Sequence, residues 1–294
     1  MHSNKVPVRG GLSPIVVMLR PFHDLVLSTQ FLTVLPLPAW PEADGQADSR
    51  RMAQASWTFP LVGLILGAIL AAANWLMTRA LPSEWTLPFG TISPSGAISP
   101  SGAALPSSVA DLITISVLIW LTGGLHIDGL ADTCDGLFSR RPRERVLEIM
   151  RDSRVGSFGV MGIVLDILAR FVLLNSLGPV KLPALILVPV LSRWMMVLAA
   201  RIHPYARAEG GLGKAFTEHI GAREVVLASI TALLLAAALL RGTGLLIAGV
   251  VLLLTLGASK WIANKIGGMT GDTFGAVNEL AEVGGFLALV LLRA

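Results

Sequence analysis

The stretch TFPLVGLILGAILAAANWLM (58–77) runs for twenty residues without a charge. At about 1.5 Å per residue a helix of that length spans roughly 30 Å, the thickness of a bilayer's hydrocarbon core. Leu245 to Ala258 and Phe286 to Leu292 are likewise uncharged. Over the whole chain 53% of residues are hydrophobic and 14% are charged, where soluble domains carry about 25% charge. Too few charges remain to cover a soluble globule, so much of the surface must face lipid. A single cysteine, Cys134, excludes an intramolecular disulfide framework.

Apolar windows predict membrane helices near 56–78, 109–125, 157–177, 183–200, 225–240, 243–260 and 275–292. Only Arg241 and Gly242 separate the fifth from the sixth, which therefore form either a tight hairpin or one broken helix. Leu25 to Leu37, interrupted at Pro36, reads as an interfacial or re-entrant helix, with a short full span as the alternative. The expected fold is all-α and polytopic, with six or seven transmembrane helices and this N-terminal helix, in one domain over 1–294. Residues 1–25 are a poorly defined extension. Residues 81–108 form a Pro/Ser/Gly-rich loop in which ISPSGA occurs twice in tandem at 92–103, a tolerated insertion. Lys5 and Arg9 precede an apolar run, but Arg20, His23 and Asp24 follow it, so no cleavable signal peptide is expected.

Basic residues alternate by side. Arg20, Arg50 and Arg51, then Arg140 to Arg154, then Arg201 to Arg223, then Lys260 and Lys265 fall on one side; Arg79, Lys181, Arg241 and Arg293 fall on the other. By the positive-inside rule the N-terminus and the basic loops are cytoplasmic. The basic excess thus reports topology and an anionic leaflet or substrate, and no nucleic-acid partner is expected.

Acids cluster on that same side. In HIDGLADTCDG (126–136), Asp128, Asp132 and Asp135 stand at i, i+4 and i+7, within about 60° on one helical face. Three carboxylates on one stripe repel unless a cation sits among them, and oxygen-only donors select Mg²⁺ or Mn²⁺ over zinc. Gly129 and Gly136 leave room for phosphates to approach the backbone. A solvated acidic face is the alternative, but such faces usually mix signs. His126 is more simply a structural hydrogen-bonder than a ligand, and Cys134 a small packing residue.

The next block, RRPRERVLEIMRDSRVGSFG (140–159), sets Glu148 and Asp152 among arginines. Arginine suits bidentate phosphate binding, and a metal with arginine is a common way to hold a diphosphate. A headgroup-anchoring loop would account for Arg140 to Arg143 but leaves the carboxylates unexplained. RIHPYARAEGGLGKAF (201–216) places Gly210, Gly211 and Gly213 beside Lys214, a weak phosphate-loop signal. KIGGMTGDTFGAVNELAE (265–282) supplies Asp272, then Asn278, Glu279 and Glu282 at the end of the last span. Glu279 is either a site residue or a partner of Arg170 or Arg193. Asp166 and Arg170, at i and i+4, neutralise each other. The whole suits Mg²⁺-assisted phosphoryl transfer at the cytoplasmic face.

TGGLHIDGLADTCDGLFS (122–139) and LEIMRDSRVGSFG (147–159) resemble the signature of the cobalamin synthase family, adenosylcobinamide-GDP ribazoletransferases. FLTVLPLP (31–38), TFPLVGLILGA (58–68), YARAEGGLGKAF (205–216) and GGMTGDTFGAVNELAE (267–282) extend the resemblance along nearly the whole chain. Val34 departs from an expected Arg, Met269 from Gln, and a glycine is added near Gly210. The resemblance implies a multi-pass enzyme of the bacterial inner membrane. It would join adenosylcobinamide-GDP to α-ribazole, or its 5′-phosphate, with Mg²⁺, releasing GMP. It implies Asp128, Asp132 and Asp135 as metal ligands, and Asp152, with Glu148 as its alternative, as general base. Arg140, Arg151 and Arg154 would contact the diphosphate, with Gly129, Gly136, Lys214, Asp272 and Glu279 also facing substrate. Further copies of the chain are a candidate partner.

Asp132, Asp135, Gly136, Ser139 and Arg140 also match the opening of the CDP-alcohol phosphotransferase signature, whose second half is not matched. A phospholipid-synthesising phosphotransferase is the second reading. An ion-coupled transporter is a remote third, since its acids belong at mid-membrane in repeated broken helices.

Overall fold

The computed structural model describes residues 14–37, 45–80, 91–92, 98–99, 105–207 and 212–292. Most of the ISPSGA repeat, Gly210, Gly211 and Arg293 lie outside them. The described chain is helical: α1 (Pro14–Leu32), α2 (Gly45–Ala55), a 3-10 turn (Ser56–Thr58), α3 (Phe59–Ala80), α4 (Leu105–Leu121), α5 (Leu125–Phe138), α6 (Arg143–Ile149), α7 (Ser157–Ser176), a second 3-10 turn (Gly178–Val180), α8 (Lys181–Ile202), α9 (Leu212–His219), α10 (Ala222–Ile266) and α11 (Gly271–Leu291). Thr91–Ile92 and Ile98–Ser99 pair antiparallel as two-residue strands.

Five helices, α7, α8, α10, α11 and the segment containing α3, are long and apolar enough to cross a membrane. The α4–α5 pair is a sixth candidate. Helix α8 is the axis: in its most apolar window 78% of residues are buried, against 22% in α10. Helix α3 lies against it because Gly63 and Gly67, one turn apart, have no side chains. A Cβ on Gly67 would stand 2.6 Å from the Cα of Ile186. Small residues at i, i+4 are the usual device for close helix approach in lipid, where no hydrophobic force drives helices together. Outward, Leu165 is 67% and Leu253 71% exposed. An apolar exterior around a packed interior is what a lipid solvent selects.

Helix α10 is a hairpin. Arg241 has φ 52° and ψ −133°, which breaks the helix. In a straight helix Ser229 and Ser259 would lie about 45 Å apart. Instead Ser229 accepts from Trp194 Nε1 and Ser259 bonds His203 Nε2, residues about 14 Å apart along α8. Ala228, Ala232 and Ala236 on one arm and Gly244, Ala248 and Val251 on the other are buried. Of the two alternatives the sequence left open, the hairpin is the one adopted; the expected apolar segments fall on α3, α4, α7, α8, the two arms of α10 and α11, while α4 stops at Leu121, short of the expected 109–125.

One turn and a set of hydrogen bonds place the remaining elements at the basic end. Gly123 and Gly124, with φ 60° and 73°, bend α5 through 87° from α4, so that the pair forms a broken span or a re-entrant elbow at the end of α4. Helix α1 stays at that end too. Asp24 accepts from Trp57 Nε1, Ser28 donates to the Ala55 carbonyl, and the Val34 amide donates to the Leu121 carbonyl. None of these partners lies at the Lys181 end, where Lys181 instead pairs with Asp111 at 2.8 Å.

Candidate active site

Helix α5 carries the acidic stripe and is seated on α11 by its glycines. A Cβ on Gly129 would come 2.6 Å from the carbonyl oxygen of Asp272, and one on Gly275 3.1 Å from that of His126. Gly136 faces the Met150 and Val146 side chains, the nearest 2.8 Å from its Cβ position. The expectation that Gly129 and Gly136 open onto phosphates is therefore corrected. Both are buried and filled by neighbouring helices, which leaves no space for a ligand at either.

The same packing assembles four separate stretches of sequence. The backbones of 204–206 and 269 are joined, with Ala206 N donating to the Met269 carbonyl and Met269 N to the Pro204 carbonyl, each at 2.8 Å. That linkage puts Arg207 on Asp272, at 2.7 Å, where Thr270 Oγ1 donates to the same carboxylate oxygen. Arg143 closes the far side, donating from Nε to the Ile266 carbonyl and from an Nη to the Ala206 carbonyl, both at 2.7 Å. The first of these is an acceptor left over at the end of α10 and the second lies in the segment after α8, so Arg143 clamps the two together.

Within this cradle the three acids of α5 differ. Asp128 is exposed, and Asp132 is partly buried. Asp135 accepts the amides of Gly156 and Gly159, at 2.7 and 2.8 Å, across the start of α7. Asp132 is pushed up to about 7, first by burial and then by the like charges of Asp128, Asp272 and Asp135, with Arg207 acting in the opposite sense. Crowded carboxylates in this state favour a cation between them. Among the described residues no three His, Cys, Asp or Glu side chains converge closely enough to enclose a metal ion. The donor set still fits Mg²⁺, being all oxygen, and each oxygen of Asp135 retains a lone pair beyond its amide bond.

Asp152 and Arg154, on the segment leading into α7, form an exposed two-toothed ion pair at 2.7 and 3.0 Å. Hydrogen bonds from the Arg154 side chain and backbone lower Asp152 to about 2. A carboxylate held there is a poor proton acceptor, which counts against Asp152 as general base. Glu148 pairs with Arg145 at 2.6 Å and faces solvent. Arg140 is exposed, at a φ of 56° that non-glycine residues rarely adopt. Arg151 is exposed as well. Lys214 lies on α9, 3.9 Å from Glu218.

Glu279 is corrected from a substrate contact to an internal ion pair. Arg170 on α7 bonds Asp166, Glu279 and Glu282, and Arg193 on α8 bonds Glu282, all buried. His126, beneath the acidic stripe, has both ring nitrogens buried without a partner. Sequence reading missed Arg207 and Arg143, because the partners that join them to the site, Asp272, Ile266 and Ala206, lie more than sixty residues away.

The chain matches the model of the cobalamin-5-phosphate synthase family over residues 24–290. It is 37% identical to a Desulforamulus reducens protein over 89% of this chain and 93% of that one. Against a Clostridium novyi protein it is 37% identical over 92% and 97%, and against one from a Roseiflexus species 35% over 92% and 90%. All three relatives are named adenosylcobinamide-GDP ribazoletransferase. No solved structure matches.

Proposed function

Because the chain belongs to the cobalamin-5-phosphate synthase family, it is a transferase of cobalamin biosynthesis, and we propose that it joins adenosylcobinamide-GDP to α-ribazole or α-ribazole 5′-phosphate. The observation that carries this reading is that Asp128, Asp135, Asp272 and Arg207, drawn from three sequence blocks, lie near enough to Asp132 to act on its charge. A carboxylate group with arginines around it is what a diphosphate and its counter-ion require.

In the reaction the ribose 3′-hydroxyl of α-ribazole attacks the phosphorus attached to cobinamide. The new P–O bond forms as the anhydride P–O bond breaks, and GMP leaves. Asp132 and Asp135 would hold Mg²⁺, which when bound offsets the charge of the diphosphate. Arg154, held in its plane by Asp152, and Arg151 bind the phosphates bidentately. Arg207 and Asp272 brace α11 beneath them. The hydroxyl proton passes to Asp128, the exposed acid of the stripe. The long apolar helices support a place in the bacterial inner membrane, and the positive-inside rule supports a cytoplasmic orientation of this end. Purified protein in liposomes, given both substrates and Mg²⁺, is expected to release GMP. Absence of GMP with any divalent metal rejects the reaction.

A further inference from the structure

A cavity of about 540 Å³ opens beside the acidic stripe, between the end of α1 and the α4–α5 elbow. Its walls include Phe31, Val34, Leu125, Ile127 and Ile163, with Asp128 at its edge. Resting on the reaction proposed above, we infer that this cavity binds the aromatic base of the incoming ribazole and that Val34 sets how large a base it admits.

The volume lies in the range of sites for small organic ligands. The polar groups around it are mostly committed. Thr33 donates to the Thr29 carbonyl and Thr122 to the Leu118 carbonyl, each from just past the end of a helix back onto its last turn. What remains is an apolar slot with one carboxylate at the edge, which suits a flat heteroaromatic ring carrying a sugar. A lipid chain would have no use for the carboxylate. Phe31 is a fixed wall, since it stacks on Phe59 at 6.1 Å and Phe59 stacks on Phe216 at 5.5 Å.

Position supplies the second argument. Asp128 is one helical turn from Asp132, about 6 Å on the same face. A ring in the cavity leaves its ribose over Asp128 and its hydroxyl toward the phosphates. The slot exists because Gly123 has no side chain: a Cβ there would stand 2.6 Å from Val34 Cγ1. The amide of Val34 is in turn fixed on the Leu121 carbonyl at 2.8 Å. Val34, 52% exposed, is thus the boundary of the slot that faces outward, and its side chain can change in size without disturbing the core.

The test measures equilibrium binding of α-ribazole to the detergent-solubilised protein and to Val34→Trp, alongside GMP release by the wild type. Val34→Trp is expected to weaken α-ribazole binding by roughly tenfold or more, the loss of a buried ring's apolar contact. Its binding of adenosylcobinamide-GDP is expected to stay within twofold. Val34→Ala is expected to shift preference toward the larger naphthimidazole riboside. Unchanged α-ribazole binding in Val34→Trp, loss of the corrinoid substrate instead, or an unchanged base preference in Val34→Ala each overturns the assignment. GMP release reports on the reaction and riboside binding on the cavity, so the two fail separately.

Discussion

The Asp135 carboxylate receives the backbone N–H of Gly156, at 2.7 Å, at the start of α7. Its other oxygen receives that of Gly159 at 2.8 Å. Helix α7 has no capping side chain of its own at Gly156, so an acid from a different helix satisfies its first amides and faces its positive end. Asp135 therefore has a structural duty that Asp132 lacks. Asp135→Ala is expected to lower stability by about 1–2 kcal/mol in the absence of metal and substrate. Asp132→Asn is expected to leave stability unchanged or raised, because it removes like-charge repulsion. Both are expected to abolish GMP release. Thermal unfolding of the two variants without ligands checks the distinction, and equal destabilisation rejects it.

The crowding of Asp132 has a pH signature. Its pKa near 7 in the folded protein lies above the ordinary carboxylate value near 4, so folding favours its protonated form. That contribution is complete below about pH 4 and is lost as pH rises through 7. Mg²⁺ offsets the repulsion only where Asp132 is ionised. Added Mg²⁺ is expected to raise the unfolding temperature more at pH 8 than at pH 5, and Asp132→Asn to abolish that difference. Equal shifts at both pH values in the wild type would contradict a cation among these acids.

Asp152 and Arg154 are expected to act as one unit. Asp152→Asn and Arg154→Gln each raise KM for adenosylcobinamide-GDP, and the double variant is little worse than either single one. A loss of kcat at unchanged KM in Asp152→Asn alone would restore it as a proton acceptor. Steady-state kinetics with the corrinoid substrate varied decides between these outcomes.

Glu282 joins Arg170 on α7 to Arg193 on α8, with all three side chains buried. Removing one partner strands the others' charge in a dry interior, a loss of about 3–5 kcal/mol. Glu282→Gln is expected to deplete folded protein from membranes. Pairing it with Arg193→Met is expected to restore part of the loss. Fluorescence size exclusion of detergent extracts measures both. An exposed pair such as Arg145 and Glu148 is expected to show nothing comparable when broken.

The acidic stripe and the spans were legible because both are local. Hydrophobic runs of membrane length, and carboxylates at i, i+4 and i+7, follow from helical geometry within one segment. Arg207 on Asp272 was not legible, because the loops that join them are brought together by contacts between 204–206 and 269. Nor was Gly129, since a glycine facing a phosphate and a glycine facing a helix look the same in a sequence. Only the position of Asp272 distinguishes them.

The sequence by itself determined that this chain lives in lipid, which side of it is basic, and which helix bears the acids. Composition and period carry those properties at each residue. Tertiary structure alone decided that Asp135 caps another helix, that Glu279 is spent on Arg170, and that Val34 borders a slot beside Asp128. Each of these depends on distances between residues far apart in the chain, which only the packing of the helices sets.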